Sequence, residues 1–181
     1  MAEPTIDEPL PREREAAATD LDAFERFYRE HDHRVGRFLA AFMRDRSLAE
    51  EVAQDSFLAA YRDRANIPRA DRAQQTWILG IAHHRALHAL RGARRAREAL
   101  GSLALTLRRS EPSRSALGTR DILIRTLAPL DRSIVVLSLV HGYTSEETAA
   151  MVGLSAEAVR QRLTRGRRKL EQAIREADGD A

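Results

Sequence analysis

The chain has 181 residues, no cysteine, and 30 Lys plus Arg against 27 Asp plus Glu, a formal charge of +3. That length suits one ordinary domain or two small ones, and the missing cysteine excludes disulfides, thiolate catalysis, zinc–thiolate sites and iron–sulfur clusters. Every base but Lys169 is an arginine, which holds the pI at 9.9 because guanidinium does not titrate in the accessible range.

Residues 1–19 read as a disordered acidic tail rich in Pro, Glu and Ala. They lack the basic start and apolar run of a signal peptide. The longest uncharged apolar runs, such as Ile134 to Val140, are too short to cross a membrane. The expectation is a cytoplasmic chain.

Asp20 is placed to cap a first helix, whose apolar residues Leu21, Phe24, Phe27, Tyr28, Val35, Phe38, Leu39 and Phe42 recur at spacings of three and four. Ser47 to Glu50 reads as a capping box for a second helix carrying Val52, Phe57, Leu58 and Tyr61. Residues 62–73, with Pro68 and mixed charge, read as a loop, and a third helix starts near Gln74 and runs beyond Leu90. Residues 93–118 change composition to Gly, Ser and Pro around Leu103 to Leu107, and read as a linker. Periodicity resumes at Ile122, Pro129 ends that helix, and Asp131 is placed to cap the next. The run Ile134 to Val140 lacks strand alternation and ends at Gly142, so it reads as helix.

The charge is unevenly spread. Residues 1–32 hold ten acids and four arginines, residues 83–109 seven arginines and one glutamate, and residues 150–175 seven bases and two glutamates. An acidic head with two separate basic segments suggests two contacts with a polyanion.

Residues 144–170 are the most specific part of the chain. Thr144-Ser145-Glu146-Glu147 is a capping box, Gly153-Leu154-Ser155 a tight turn, and a second helix follows. At ~100° per residue, Val159, Leu163, Gly166 and Leu170 fall on one side and Glu157, Gln161, Thr164, Arg165 and Arg168 on the other. Arg160 and Arg167 border that outer strip on one flank, Arg162 and Lys169 on the other. Polar residues for base edges between basic borders for phosphate suit a helix-turn-helix in a major groove. Arg160, Gln161 and Arg165 are the best base readers, since Arg suits guanine and Gln suits adenine.

These residues resemble a bacterial RNA polymerase sigma factor of the sigma-70 family, in its two-domain extracytoplasmic-function (ECF) group. The match to the family's promoter-recognition domain runs from Leu127 to Leu170. Arg46 to Arg62 is similar to the family's polymerase-docking helix, with Glu51, Gln54, Asp55 and Phe57 on its characteristic positions. Trp77 to Arg91 is similar to the helix that reads and opens the minus-ten element. His84 stands where the family usually has asparagine, His88 where it usually has an acid, and Ala158 where threonine is common.

The resemblance implies an all-α protein of two small helical domains on a flexible linker. Residues 20–92 would be the polymerase-docking and minus-ten domain, 93–118 the linker, 119–176 the helix-turn-helix for the minus-thirty-five element, and 177–181 a tail. Docking on the clamp helices of the largest polymerase subunit would use Glu51, Gln54, Asp55 and Phe57. Minus-ten DNA, duplex and melted, would meet Trp77, His84, Arg85, His88, Arg91, Arg94 and Arg95. The upstream element would meet Glu157, Arg160, Gln161, Arg162, Thr164, Arg165 and Arg168. An anti-sigma factor is a further implied partner.

No catalytic residue, metal or cofactor is expected. His84 and His88 have zinc-ligand spacing, but neither a neighbouring glutamate nor a third ligand accompanies them. No Gly-rich phosphate loop or nucleophile–base motif is present. Two other readings use the same residues: a stand-alone helix-turn-helix regulator, and a sigma-like module that only sequesters an anti-sigma partner.

Overall fold

A computed structural model of the chain describes residues 11–101 and 118–179, and no strand occurs among them. The elements are α1 (Pro11–Phe42), α2 (Arg46–Arg62), a 3-10 turn (Arg64–Asn66), α3 (Asp71–Gly101), α4 (Thr119–Thr126), α5 (Pro129–Val135), which continues into one π-helical turn (Val136–Val140), α6 (Ser145–Val152) and α7 (Ala156–Gly179). The expected elements Leu103 to Leu107 and Arg108-Arg109 lie outside the described residues, as does the start of the acidic tail.

Helices α1, α2 and α3 form the N-terminal half. Phe27, Val35, Phe38, Leu39 and Phe42 repeat at helical spacing on α1 and are buried against Val52, Phe57 and Ala60 of α2 and Ile78, Leu79 and Ala82 of α3. Burying each large side chain stabilises the fold by roughly 1.5–3 kcal/mol. Phe27 meets His31, Trp77 and Phe57 edge to face, at ring separations of 4.6, 6.0 and 6.5 Å.

Several boundaries differ from the expectation. Helix α1 begins at Pro11, so Asp20 lies inside it and pairs with Arg64 instead of capping. The cap of α2 is Asp45, whose carboxylate accepts from the Leu48 amide at 3.1 Å; Ser47 sits within the helix. Helix α3 starts at Asp71 and continues past Gly92 to Gly101, because the stretch after Leu90 is mostly Ala, Arg, Glu and Leu, all strong helix formers. Pro129 opens α5 as its first residue, where its missing N–H costs nothing. Asp131 accordingly sits in the first turn and binds Arg162 at 2.8 Å.

In the C-terminal half the capping box at Thr144 forms with both bonds, Glu147 N–H to Thr144 Oγ1 at 3.2 Å and Thr144 N–H to Glu147 Oε2 at 2.8 Å. Gly153 ends α6 at φ +70°, a conformation that favours glycine. Ser155 Oγ then accepts from Ala158 N–H at 3.2 Å and starts α7. Gly166 is buried where α7 crosses α5, and a Cβ there would stand 3.0 Å from Val135 Cγ2.

The two halves share one hydrophobic core. Ile134, Val136 and Leu137 belong to the same buried cluster as Phe38 and Phe42. Helix α6 lies along α3, close enough that a Cβ on Gly80 would be 3.6 Å from Met151 Cα. Two arginines of the C-terminal half finish α1. Arg120 donates to the carbonyls of Ala40, Met43 and Arg44 at 2.7, 2.7 and 3.2 Å, and Arg132 donates to that of Phe42 at 2.8 Å. The last carbonyls of a helix have no intrahelical donor and carry its negative end, so a guanidinium satisfies both needs.

Candidate nucleic-acid interface

Helix α7 presents the outer strip that its periodicity predicts. Glu157, Arg160, Gln161, Thr164, Arg165 and Arg168 are exposed, while Val159 and Gly166 are buried. Glu157 gathers its neighbours: Arg160 Nη2 donates to it at 3.0 Å and Gln161 Nε2 at 3.1 Å, which holds its carboxyl below the usual range. Arg160 also reaches Glu146 of α6 at 3.1 Å. Arg165 and Arg168 form no ion pair among the described residues, so they are the uncommitted cations of the strip. Arg162 is different. Its pairing with Asp131 turns it inward onto α5, because its place on the helix borders the packed side.

The residues resembling a minus-ten reader lie along α3. Trp77, Ile81, His84, Arg85 and His88 line one groove with Glu51 and Asp55 of α2, and Ala150 and Met151 of α6 form its other wall. The groove encloses about 970 Å³. His84 and His88 are exposed; Trp77 is half-buried and packs edge-on to Phe27, which makes it part of the core as much as of the groove. Arg85 Nη1 lies 3.9 Å from Asp55 Oδ2, and Arg94 pairs with Glu98 at 2.6 Å. Arg91 and Arg95 are exposed and form no ion pair among the described residues. No group of three His, Cys, Asp or Glu able to hold a metal occurs among the described residues.

On α2, Glu51, Gln54 and Asp55 are exposed on one face. Phe57 is buried against Phe27 and Tyr28 and backs the helix from inside, so it does not belong to the exposed acidic and amide face on which docking was expected.

His83 was hidden from the sequence reading by its neighbour His84. It is fully buried where α3 meets α5, with Nδ1 2.9 Å from Ser133 Oγ. The Ser133 hydroxyl also lies 3.3 Å from the Pro129 carbonyl, to which it can donate. His83 Nε2 has no partner among the described residues. Burial, aided by His84 and Arg91, pulls its pKa down to about 4. Arg72 is a second interface group, forked onto Glu147 with Nη2–Oε2 at 2.8 Å and stacked 4.2 Å from the Tyr143 ring. The only signal either left in the sequence was a polar residue in a helical pattern.

Comparison with known proteins completes the picture. Residues 27–96 match the family described as Sigma-70 region 2, and residues 123–170 match Sigma-70, region 4. The chain belongs to the sigma-70 family of RNA polymerase sigma factors, in the ECF group. It is 35% identical over 165 residues to the RNA polymerase sigma factor CarQ of Myxococcus xanthus, covering 87% of this chain and 92% of CarQ. It is 30% identical over 180 residues to the sigma factor CnrH of Cupriavidus metallidurans, covering 92% and 93%. The fold of this sigma factor is similar to CnrH solved with the cytosolic domain of CnrY (TM-score 0.64, 24% identity, 93% and 96% covered). It is also similar to the sigma factor RpoE of Bartonella quintana solved with the anti-sigma factor NepR (TM-score 0.67, 18% identity, 84% and 97% covered). Among the described residues, no helix of this sigma factor is long and apolar enough to cross a membrane.

Proposed function

We propose that this sigma factor acts in the cytoplasm as a non-enzymatic initiation factor that carries core RNA polymerase to its promoters, with the work divided between its halves. The exposed face of α2, Glu51, Gln54 and Asp55, meets the clamp helices of the largest polymerase subunit. Arg85, Arg91, Arg94 and Arg95 grip phosphate around the minus-ten element, with His84 and His88 against the melted strand. Opening a duplex costs a few kcal/mol per unstacked base, and a basic surface beside a groove offsets that cost. The outer strip of α7 reads the minus-thirty-five element, with Arg165 and Arg168 as its free cations and Arg160 and Gln161 as base readers that exchange Glu157 for DNA. Arg162 contributes by holding α7 on α5.

The observation that carries this reading is the presence, in order on one chain, of a region 2 with Glu51, Gln54, Asp55, His84 and His88 exposed and a region 4 with Arg160, Gln161, Arg165 and Arg168 exposed. A stand-alone helix-turn-helix regulator has no use for the first. The solved relatives bound to an anti-sigma factor or a cytosolic regulatory domain support a partner of that kind here as well. The test is co-elution with purified core polymerase, followed by transcription from a genomic fragment library. Co-elution and discrete start sites are expected. Duplex binding without co-elution would return the stand-alone regulator.

A further inference from the structure

We propose that Glu157, the single acid on the outer strip of α7, reads a base: its carboxylate accepts from the exocyclic amine of a cytosine, so the upstream element carries a C·G pair where the start of α7 enters the groove. The proposal rests on the reading of α7 as the upstream-element helix and names one base pair which that helix requires.

Glu157 is the second residue of α7, just after the Ser155 cap. At ~100° per residue it lies in the middle of the strip formed with Gln161, Thr164 and Arg168. In a helix-turn-helix the first residues of the second helix meet base edges. Its side chain is 63% exposed, so it is free to enter a groove. From Ala156 to Leu170 it is the only acid, against five arginines and Lys169. Affinity for a polyanion comes from the cations that displace its counterions. A carboxylate at the centre of that surface weakens the grip, so phosphate binding alone gives it no use.

In the free chain the carboxylate is satisfied by its neighbours. Arg160 Nη2 and Gln161 Nε2 donate to it at 3.0 and 3.1 Å, and Arg160 Nη1 is held a second time by Glu146 at 3.1 Å. When Arg160 and Gln161 turn to the DNA, Glu157 loses both donors as it leaves water. An ionised carboxylate only accepts hydrogen bonds, and a desolvated one left without a donor is strongly disfavoured. The floor of the major groove is mostly acceptors. Guanine offers N7 and O6, and thymine offers O4 beside a methyl group. Adenine offers its N6 amine with the N7 acceptor next to it, whereas cytosine offers its N4 amine with no acceptor on the same edge. Cytosine is therefore the base that a carboxylate selects. The guanine paired with it needs donors, and Arg160, already beside Glu157, supplies them.

An acid in the first turn also favours the positive end of the helix dipole. That role is blind to DNA sequence, so base preference separates the two. Core polymerase carrying the full chain is offered promoters randomised across the upstream element, and the bound DNA is sequenced. The wild type should select a C·G pair at one position. Glu157→Gln should move that position toward A·T, because a glutamine amide pairs with adenine N6 and N7. Glu157→Ala should accept all four base pairs there, bind the selected duplex roughly tenfold more weakly, and bind scrambled duplex a few-fold more tightly. Glu146→Gln relieves Arg160 of its other carboxylate and should leave the preference at that position as it was.

Glu157 variants that select the same element as the wild type overturn the proposal and leave Glu157 as a helix-start charge. A Glu146→Gln shift as large as that of Glu157→Gln also overturns it, since the effect would then run through Arg160. A position that depends on Glu157 but prefers a base other than cytosine overturns the assignment of the base. A wild type that binds polymerase but selects no upstream element overturns the reading of α7 beneath the proposal.

Discussion

The two surfaces proposed to read DNA sit in opposite states. The outer strip of α7 faces solvent along its length, and its arginines are either free or held by exposed carboxylates. The matching surface of α3 shares its groove with α6, and the next residues round that helix, Gly80 and His83, are in contact with the other half. Both segments are basic and helical, so composition does not separate them. What separates them is which face tertiary packing has taken. A reader on a terminal helix has one face to bury and one to offer. A reader on α3 is packed by α1, α2 and α6 together and keeps only a strip.

The contrast can be broken most forcefully at Arg132. Its guanidinium is almost fully buried and donates to the carbonyls of Phe42, Ile124 and Leu127 at 2.8, 2.8 and 3.0 Å. Arg132→Ala leaves three carbonyls without that donor and should cost roughly 3 kcal/mol, read as a lower urea midpoint. Exposed Arg165→Ala should leave the midpoint unchanged within error.

Acid should act next most strongly, and through the covered surface. His83 and His141 are both held near 4 by burial, His141 with help from Arg37 and Arg34. An unfolded histidine takes its proton near 6.5. Between those values the unfolded chain binds more protons, so stability is full above about pH 6.5 and falls as pH drops toward 4. The His83 share should be on the order of 2–3 kcal/mol. His83→Gln should flatten the curve, and a curve as steep as the wild type's would remove His83 from the account.

The open surface is sharpened by a pair of arginines three residues apart. Arg165→Ala should weaken binding to the upstream element by roughly 1–3 kcal/mol and relax selection at one position. An equal loss on scrambled duplex would instead make it a phosphate contact. Gly153→Ala forces a side chain into φ +70° and should cost about 1 kcal/mol of stability, with DNA selectivity retained by the folded fraction. The smallest effect belongs to Arg162→Ala. Its link to Asp131 is partly exposed, so stability should fall by no more than about 1 kcal/mol. The salt dependence of DNA binding should stay as it was; a shallower salt slope would place Arg162 on phosphate.

Much of this protein was decided locally and is therefore legible in the residues. The capping box at Thr144, the left-handed turn at Gly153 and the two-sided pattern of α7 each depend on neighbours within a few positions, so the helix-turn-helix and its exposed strip follow from sequence. The stripe of Trp77, Ile81, His84 and His88 follows for the same reason. Boundaries were harder where two residues competed for one role. Asp45 took the cap that Ser47 also suited, and Pro129 opened a helix where it was expected to end one. What tertiary structure alone decided is what happens between residues far apart in the chain. Phe57 went inward because Phe27 and Tyr28 meet it, Arg162 inward because Asp131 does, and His83 became a buried interface group because Ser133, fifty positions on, supplies a hydrogen-bond partner for its ring. Helical periodicity tells which residues share a face. Which partner covers that face depends on how the two halves pack, and no repeat in the sequence encodes it.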